Sequence, residues 1–271
     1  MSSSAQALLT ARTQNRAALV GYLPVGYPDV AGSIDALRAI TEGSDGTGVD
    51  LVEIGAPYSD PVMDGLAIQH AATRALERGV RTADVFRAVE AVTATGTPAV
   101  VMTYWNLVEH YGVERYARDL ASAGGSGLIT PDLTPDDAEP WIAASEQHDL
   151  DRIFLIAPSS TDERIALTTR ACRGWVYATA VMGVTGARQQ TSTAAPDLVS
   201  RIRAQSDLPV GVGLGVSNGD QAAEIGAYAD AVIVGSALVK ELIDNERTGS
   251  SDLSGLRAVV DDLAAGVRRA R

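Results

Sequence analysis

Short apolar runs rich in β-branched residues recur eight times along this chain of 271 residues, and this repetition constrains the fold more than any other feature. The runs are nearly continuous in apolar character, which is typical of strands that are buried on both faces in a parallel sheet. Helix-like stretches of mixed polarity separate them. The runs occupy residues 18–23, 49–54, 98–104, 127–130, 152–157, 175–180, 208–215 and 230–236.

Eight strands that alternate with helices fit either a closed (β/α)8 barrel or an open, doubly wound sheet. The strand number and the length favour the barrel, which typically needs about 250 residues. The first strand is not followed by a G-x-G-x-x-G turn, which weakens a dinucleotide-binding interpretation. We therefore expect one α/β domain over residues 1–271, a (β/α)8 barrel with an extra N-terminal helix. Between the second and third strands there is room for an enlarged loop and two helices.

Composition excludes several classes of function. The 22 Lys and Arg residues against 34 Asp and Glu residues give a formal charge of −12, and no basic run stands out, so neither nucleic acid nor an anionic membrane is expected as a partner. No apolar run approaches the roughly 18 residues of a membrane span. Cys172 is the only cysteine, which fits a reducing, cytoplasmic location. His70, His110 and His148 are scattered, so no metal site is expected.

The second strand ends in an acidic segment, "LVEIGAPYSDPVMDG" at residues 51–65. In a (β/α)8 barrel the active site lies at the carboxyl ends of the strands, where Glu53 stands. The apolar run behind Glu53 partly desolvates it and raises its pKa, as a general acid or base near neutral pH requires. Asp64 can fold back over the same mouth and hold charge. In the alternative interpretation Glu53 caps backbone amides, and Asp60 and Asp64 are turn residues.

Glycine-containing turns follow the seventh and eighth strands, the place where barrel enzymes commonly bind phosphate. Gly215, Gly235 and Ser236 can present backbone N–H groups at a helix N-terminus, so no basic side chain is needed. After the sixth strand, "VMGVTGARQQTST" is long and rich in small polar residues, which predicts a lid that excludes water. The alternatives are glycines needed only for tight turns and a plain surface loop.

These motifs, in this order, resemble the tryptophan synthase α subunit family along nearly the whole chain. The matching segments are "GYLPVGYP", "EIGAPYSDPVMDGLAIQ", "TYWNLV", "MGVTGAR", "GVGLGVS" and "VIVGSALVK". The resemblance implies cleavage of indole-3-glycerol phosphate to indole and glyceraldehyde 3-phosphate by a chain without a cofactor of its own. It also implies a β subunit that carries pyridoxal phosphate and receives indole through a tunnel, in an assembly of two α and two β chains.

The family pattern assigns roles to individual positions. Glu53 matches the general acid/base glutamate, and Asp64 matches the aspartate that binds the indole N–H and stabilises developing positive charge. Further matches are expected substrate contacts at Tyr22, Tyr177, Gly186, Gly215, Gly235 and Ser236, and expected contacts with the β subunit at Asp60, Pro61 and Asn106.

Some positions depart from the family pattern. Tyr22 replaces a usual phenylalanine, Tyr27 an aspartate, Met63 a frequent alanine and Leu214 a common phenylalanine. None of these changes removes a catalytic carboxylate. They bear on the packing around indole and on the coupling of the loop to the partner.

Other functions remain open on the residues alone. One is a different phosphate-binding barrel, such as a sugar-phosphate isomerase or aldolase. A Schiff-base aldolase is disfavoured, because the only lysine, Lys240, falls in a predicted helix beyond the eighth strand. Two further alternatives are a noncatalytic chain that only activates a β partner and a stand-alone lyase that produces indole.

Overall fold

Eight parallel strands close into a barrel in sequence order, with β1 paired to β2 on one side and to β8 on the other. The computed structural model describes residues 4–179, 194–213 and 215–270. The strands are β1 (Ala18–Pro24), β2 (Leu51–Gly55), β3 (Ala99–Met102), β4 (Gly127–Thr130), β5 (Asp151–Ile156), β6 (Val176–Thr179), β7 (Val210–Gly213) and β8 (Ala231–Val234). The predicted barrel is confirmed, and each strand overlaps one of the eight apolar runs.

Helices surround the barrel and one precedes it. They are α1 (Ser4–Thr13), α2 (Val30–Glu42), α3 (Leu66–Glu77), α4 (Thr82–Thr93), α5 (Trp105–Tyr111), α6 (Val113–Ser122), α7 (Glu139–Gln147), α8 (Asp162–Ala171), α9 (Ala194–Arg203), α10 (Gly219–Gly226), α11 (Ser236–Thr248) and α12 (Ser254–Arg268), with a short 3-10 helix at Pro135–Asp137. Two of them, α3 and α4, separate β2 from β3, as the length of that segment predicted. Within the described ranges, no helix combines the length and the apolar character needed to cross a bilayer.

Both faces of the strands are buried, which explains their continuous apolar sequences. Side chains of one face fill the barrel interior, and those of the other face pack against the surrounding helices in a second, larger cluster. The interior cluster includes Ala18, Val20, Leu51, Val100, Ile129, Ile153, Trp175, Ala231 and Ile233. Because strand side chains alternate between faces, Glu53 lies on the same face as Leu51 and therefore points into this apolar interior.

Helix α1 covers the amino-terminal end of the barrel. The backbone N–H and the hydroxyl of Ser4 donate to Asp151 Oδ2 at 2.9 and 2.6 Å, and Trp175 Nε1 donates to Ser4 Oγ at 3.0 Å. Leu8 and Ala11 of the same helix join the interior cluster. The extra N-terminal helix is thus confirmed, and it leaves the carboxyl ends of the strands as the accessible face of the barrel.

A polar bridge joins the helices that follow β2 and β8. The Tyr27 hydroxyl donates to Glu246 Oε2 at 2.7 Å, and Arg78, which ends α3, donates to Glu246 Oε1 at 2.7 Å. His70 Nε2 lies 3.8 Å from the same carboxylate. The departure at Tyr27 therefore has a structural consequence, because its phenol links the segment after β1 to α11. Arg78 and Tyr27 together lower the pKa of Glu246 to about 2.

We expect Glu246→Gln to lower the free energy of unfolding by about 1 kcal/mol at neutral pH, a value discounted for solvent screening. A carboxylate whose pKa is lowered on folding contributes stability above its unfolded pKa, here near 4.5, and loses it as pH falls towards about 2. Urea unfolding of both proteins across this range measures the difference. If the free energy of unfolding of the variant stays below that of wild type by a constant amount from neutral pH to strong acid, the stabilising role of the Glu246 bridge is contradicted.

Candidate active site at the carboxyl ends of the strands

Three strands and one loop bring acidic and phenolic side chains to one end of the barrel. Tyr22 of β1 lies opposite Glu53 of β2 in the strand register, so both side chains share one level and one face. Tyr177 of β6 enters from the other side, stacked on Trp175 with ring centroids 5.8 Å apart. Asp64 reaches this space from the loop between β2 and α3, as the sequence predicted.

Burial governs the chemistry of Glu53. The side chain is 1% exposed, and Oε2 makes no hydrogen bond within the part of the chain that the structure describes. Removal from water disfavours the carboxylate, and the neighbouring charge of Asp64 adds to this, so the pKa of Glu53 is raised to about 8. At neutral pH the group therefore holds a proton that it can give to a bound molecule.

Asp64 is less deeply buried and has a hydrogen-bond donor beside it. Burial raises the pKa of Asp64 to about 6, and a hydrogen bond from the Tyr104 hydroxyl opposes that rise. Near neutral pH Asp64 is consequently charged in most molecules while Glu53 is protonated. Two carboxyl groups whose pKa values differ in this way are suited to different tasks, one as a proton donor and one as an anion.

Two phenols of the site stay protonated at any physiological pH. Burial raises the pKa of Tyr22 well above its usual range, with added contributions from the charges of Asp64 and Glu53. The pKa of Tyr177 is raised for the same reasons, with the charge of Glu53 contributing more than that of Asp64. These rings provide flat apolar walls that end in hydroxyl groups able to donate or accept a hydrogen bond.

Glycines on the strands make room for these rings. A Cβ atom at Gly55 would overlap the Tyr22 hydroxyl, and one at Gly213 would overlap the Tyr177 hydroxyl. The position of Tyr22 thus requires glycine at the end of β2, on the strand that carries the catalytic candidate Glu53. This dependence connects residues far apart in sequence, and no local motif indicated it.

Tyr104 is a site residue that the sequence analysis missed. It lies between β3 and α5 within "TYWNLV", where only Asn106 was singled out, and its buried ring reaches the acidic loop. The hydroxyl donates to Asp64 Oδ1 at 3.3 Å and accepts the backbone N–H groups of Val62 and Met63 at 3.1 and 3.2 Å. The available signal was an aromatic residue with a polar tip at the carboxyl end of a barrel strand.

The predicted phosphate positions lie at the ends of β7 and β8. Gly215 has a φ of +67°, a conformation that favours glycine, and precedes α10. Gly235 directly follows β8, and Ser236 begins α11, whose first turn presents backbone N–H groups. Gly186, the lid with Arg188, and Leu214 lie outside the described residues.

Residues predicted to face a partner lie on the outer side of the same end. Asp60 and Asn106 are exposed, and Pro61 is half-buried. Val62 and Leu66, in and just after the acidic loop, are large apolar side chains that are 69% and 82% exposed. Exposed apolar side chains on a functional loop are typical of a surface that binds another protein.

Metal ligation finds no support in the side chains that can be located. Across residues 4–179, 194–213 and 215–270, His, Cys, Asp and Glu side chains form no group of three or more that could hold a metal ion. The described groups at this end of the barrel include two carboxyl groups, the phenols of Tyr22 and Tyr177, and the start of α11.

Comparisons with known proteins agree on one family. The model of the family "Tryptophan synthase alpha chain" matches residues 8–268. The alpha chain of Nocardia farcinica is 59% identical over 266 residues, covering 98% of this chain and 96% of the relative. That of Mycobacterium avium is 60% identical over 258 residues, covering 95% and 92%.

Solved structures give the same answer. Tryptophan synthase of Mycobacterium tuberculosis superimposes with a TM-score of 0.91 at 57% identity, covering 99% of both chains. A chain of the tryptophan synthase complex of Pyrococcus furiosus superimposes with a TM-score of 0.82 at 28% identity, covering 92% of this chain and 98% of that one. By sequence and by fold, this chain belongs to the tryptophan synthase alpha chain family.

Proposed function

We propose that Glu53 and Asp64 carry out the acid–base chemistry by which this chain cleaves indole-3-glycerol phosphate to indole and glyceraldehyde 3-phosphate. Cleavage of this substrate, with indole passed on to a β subunit, is the activity of the family to which the chain belongs. The observation that carries the assignment is the pair formed by the buried Glu53 and the half-buried Asp64 at one barrel end, with pKa values raised to about 8 and about 6.

In the first step Glu53 gives its proton to C3 of the indole ring. The scissile bond joins C3 to the glycerol chain, and protonation converts C3 to a tetrahedral centre of an indolenine-like cation. A carboxyl group that is protonated at neutral pH and has no hydrogen-bond partner on Oε2 is well placed to act as this acid.

Asp64 stabilises the charge that this protonation creates. The indole N–H becomes more acidic and more positive as C3 is protonated, and a carboxylate is the strongest acceptor that a protein offers it. An interaction that strengthens as the reaction proceeds lowers the barrier rather than only the substrate affinity. The largely ionised state of Asp64 near neutral pH supports this role.

The second step returns the proton to Glu53. The Glu53 carboxylate formed in the first step removes the proton of the hydroxyl group next to the scissile bond. The oxygen lone pair then forms the aldehyde carbonyl while the carbon–carbon bond breaks, and its electrons restore the aromatic indole. One proton is given and one is taken, so Glu53 ends the cycle protonated and needs no other acid or base.

Substrate binding is assigned to groups remote from the broken bond. Backbone N–H groups around Gly215, Gly235 and Ser236, together with Gly186, are proposed to hold the phosphate. Tyr22 and Tyr177 are proposed to line the indole pocket. Phosphate binding at the far end of the substrate can supply the energy that positions C3 against Glu53.

The partner is proposed to be a tryptophan synthase β subunit, in an assembly of two α and two β chains. Asp60, Pro61 and Asn106 are assigned to that interface, and the exposed Val62 and Leu66 support an apolar contact there. The chain needs no cofactor of its own in this scheme, and pyridoxal phosphate belongs to the β partner. We also infer a single domain over residues 1–271 and a cytoplasmic location, which the single, free Cys172 fits.

A Schiff-base aldolase receives no support from the position of the lysine. Lys240 is exposed on α11, outside the barrel interior, and an amine in that place cannot reach a substrate beside Glu53. The noncatalytic alternative is separated from the proposal by direct assay of the chain for indole release.

We expect Glu53→Gln to reduce single-turnover release of indole by at least roughly 10²–10⁴-fold, because an amide cannot exchange protons. Binding of glycerol 3-phosphate should change little, since the residues proposed to bind its phosphate lie at the ends of other strands. Glu109→Gln, the same substitution at an exposed position of α5, is the matched control and should behave as wild type. Cleavage by Glu53→Gln at close to the wild-type rate would remove Glu53 from the mechanism.

Ser236→Asp should weaken binding of glycerol 3-phosphate by roughly tenfold or more, because it places a negative charge at an anion site. The fold should be retained, since acidic residues are favourable in the first turn of a helix. Ser236→Asn, equal in size but uncharged, separates the effect of charge from that of shape. Equal affinities of the two variants in calorimetry would show that no phosphate binds at the start of α11.

A further inference from the structure

The Tyr104 hydroxyl uses all of its hydrogen-bonding capacity on one loop. A phenol has one proton to donate and two lone pairs to accept with. Both lone pairs receive backbone N–H groups, those of Val62 and Met63 at 3.1 and 3.2 Å. The single proton is therefore directed to Asp64 Oδ1, at 3.3 Å. Burial raises the pKa of Tyr104 to about 12, so this proton is retained at neutral pH.

The ring of Tyr104 also contacts the beginning of the acidic loop. It stacks on Tyr58 with centroids 4.8 Å apart and ring planes 24° from parallel. One side chain thus touches the loop near its start and, through the hydroxyl, at three consecutive residues near its end. Between these contacts lies Asp60, which is exposed.

The backbone that carries Tyr104 is itself fixed to the barrel. Tyr104 follows β3 and immediately precedes α5, and the N–H of Trp105 donates to the Asp132 carboxylate at 2.9 and 3.1 Å. Asp132 stands just beyond β4. The phenol therefore projects from rigid elements towards a loop, which is the arrangement needed to transmit the geometry of the scaffold to a loop residue.

We propose that Tyr104 is a positioning residue whose hydroxyl holds the Asp64 carboxylate in the orientation that accepts the indole N–H. This inference rests on the proposed role of Asp64. Tyr104 itself needs no contact with the reacting atoms. The 3.3 Å distance is long for an O–H···O bond, as bonds in active sites often are before substrate binds.

The same bond also lowers the pKa of Asp64, against the larger effect of burial. Within the described residues, the ionisable groups that face Asp64 are Glu53 from β2, Tyr22 from β1, Tyr177 from β6 and Tyr104 after β3. None of these four groups carries a positive charge, and burial raises the pKa of Asp64, so among the described residues the hydrogen bond from Tyr104 is what favours its anion. Loss of the hydroxyl should increase the fraction of molecules in which Asp64 is protonated near neutral pH. In those molecules Asp64 has no charge with which to stabilise the indole N–H.

The test substitutes Tyr104→Phe, which keeps the ring and its stacking on Tyr58. We expect the rate of single-turnover cleavage to fall roughly tenfold at neutral pH, as loss of one hydrogen bond to a charged group implies, with little change in affinity for glycerol 3-phosphate. Tyr111→Phe is the matched control, because the Tyr111 hydroxyl donates to Asp119 Oδ2 at 2.6 Å, away from the site. It should cleave at the wild-type rate.

A second readout reports on Asp64 without reference to activity. Carbon-13 NMR of aspartate carboxyl groups in the full chain, with the Asp64 signal identified by its loss in Asp64→Asn, gives the pKa of Asp64 directly. We expect this pKa to be higher in Tyr104→Phe than in wild type and unchanged in Tyr111→Phe. In the Asp64→Asn background, Tyr104→Phe should have little further effect on the rate.

The outcomes separate this inference from the proposed function. An unchanged Asp64 titration in Tyr104→Phe would overturn the inference, as would a rate loss that is equally large in the Asp64→Asn background. A raised pKa of Asp64 in Tyr104→Phe would support the inference if the same substitution slows cleavage in the wild-type background but not in the Asp64→Asn background. Cleavage by Asp64→Asn itself at the wild-type rate would instead overturn the proposed function, whatever the titration shows.

Discussion

The burial of the Glu53 carboxyl group inside an apolar barrel is the constraint on which the rest of the site depends. Its pKa, raised to about 8, means that the folded chain binds this proton more tightly than the unfolded chain does. The contribution of Glu53 to the free energy of unfolding therefore declines as pH rises from about 4.5 to about 8, because ionisation of its buried carboxyl group disfavours the folded state. The barrel interior, closed at its other end by α1 and Trp175, keeps water away and maintains this state.

Because of this constraint, the two carboxyl groups of the site lie on different kinds of structural element, one on a barrel strand and the other on a loop. The proposed proton carrier, Glu53, stands on a strand, where its environment is fixed, and the second carboxylate, Asp64, lies on a loop that Tyr104 connects to the end of β3. The residues proposed to bind phosphate lie at the end of β8, which pairs with β1 in the closed barrel, and after β7 beside it, so the substrate would span the mouth from Ser236 to Asp64. The family reaction needs these two ends and an apolar space between them.

Sequence reasoning recovered what is encoded locally. The continuous apolar runs predicted all eight strands, and the run ending at Glu53 predicted a buried carboxyl group at the barrel mouth. The contacts of Tyr104 with Asp64, of Tyr27 with Glu246 and of Tyr22 with Gly55 were not predicted. Each of them joins residues that are distant in sequence, and such pairs are decided by strand register and helix packing rather than by any local pattern.

The most direct test of the account is the pH dependence of kcat/KM, which reports the ionisation of the free enzyme. If Glu53 must begin the reaction protonated, kcat/KM falls above about pH 8, by about tenfold for each further pH unit. The residual activity of Glu53→Gln should lack this decline. A wild-type profile that stays level from about pH 6 to about pH 10 would contradict the claim that a buried, protonated glutamic acid starts the cleavage.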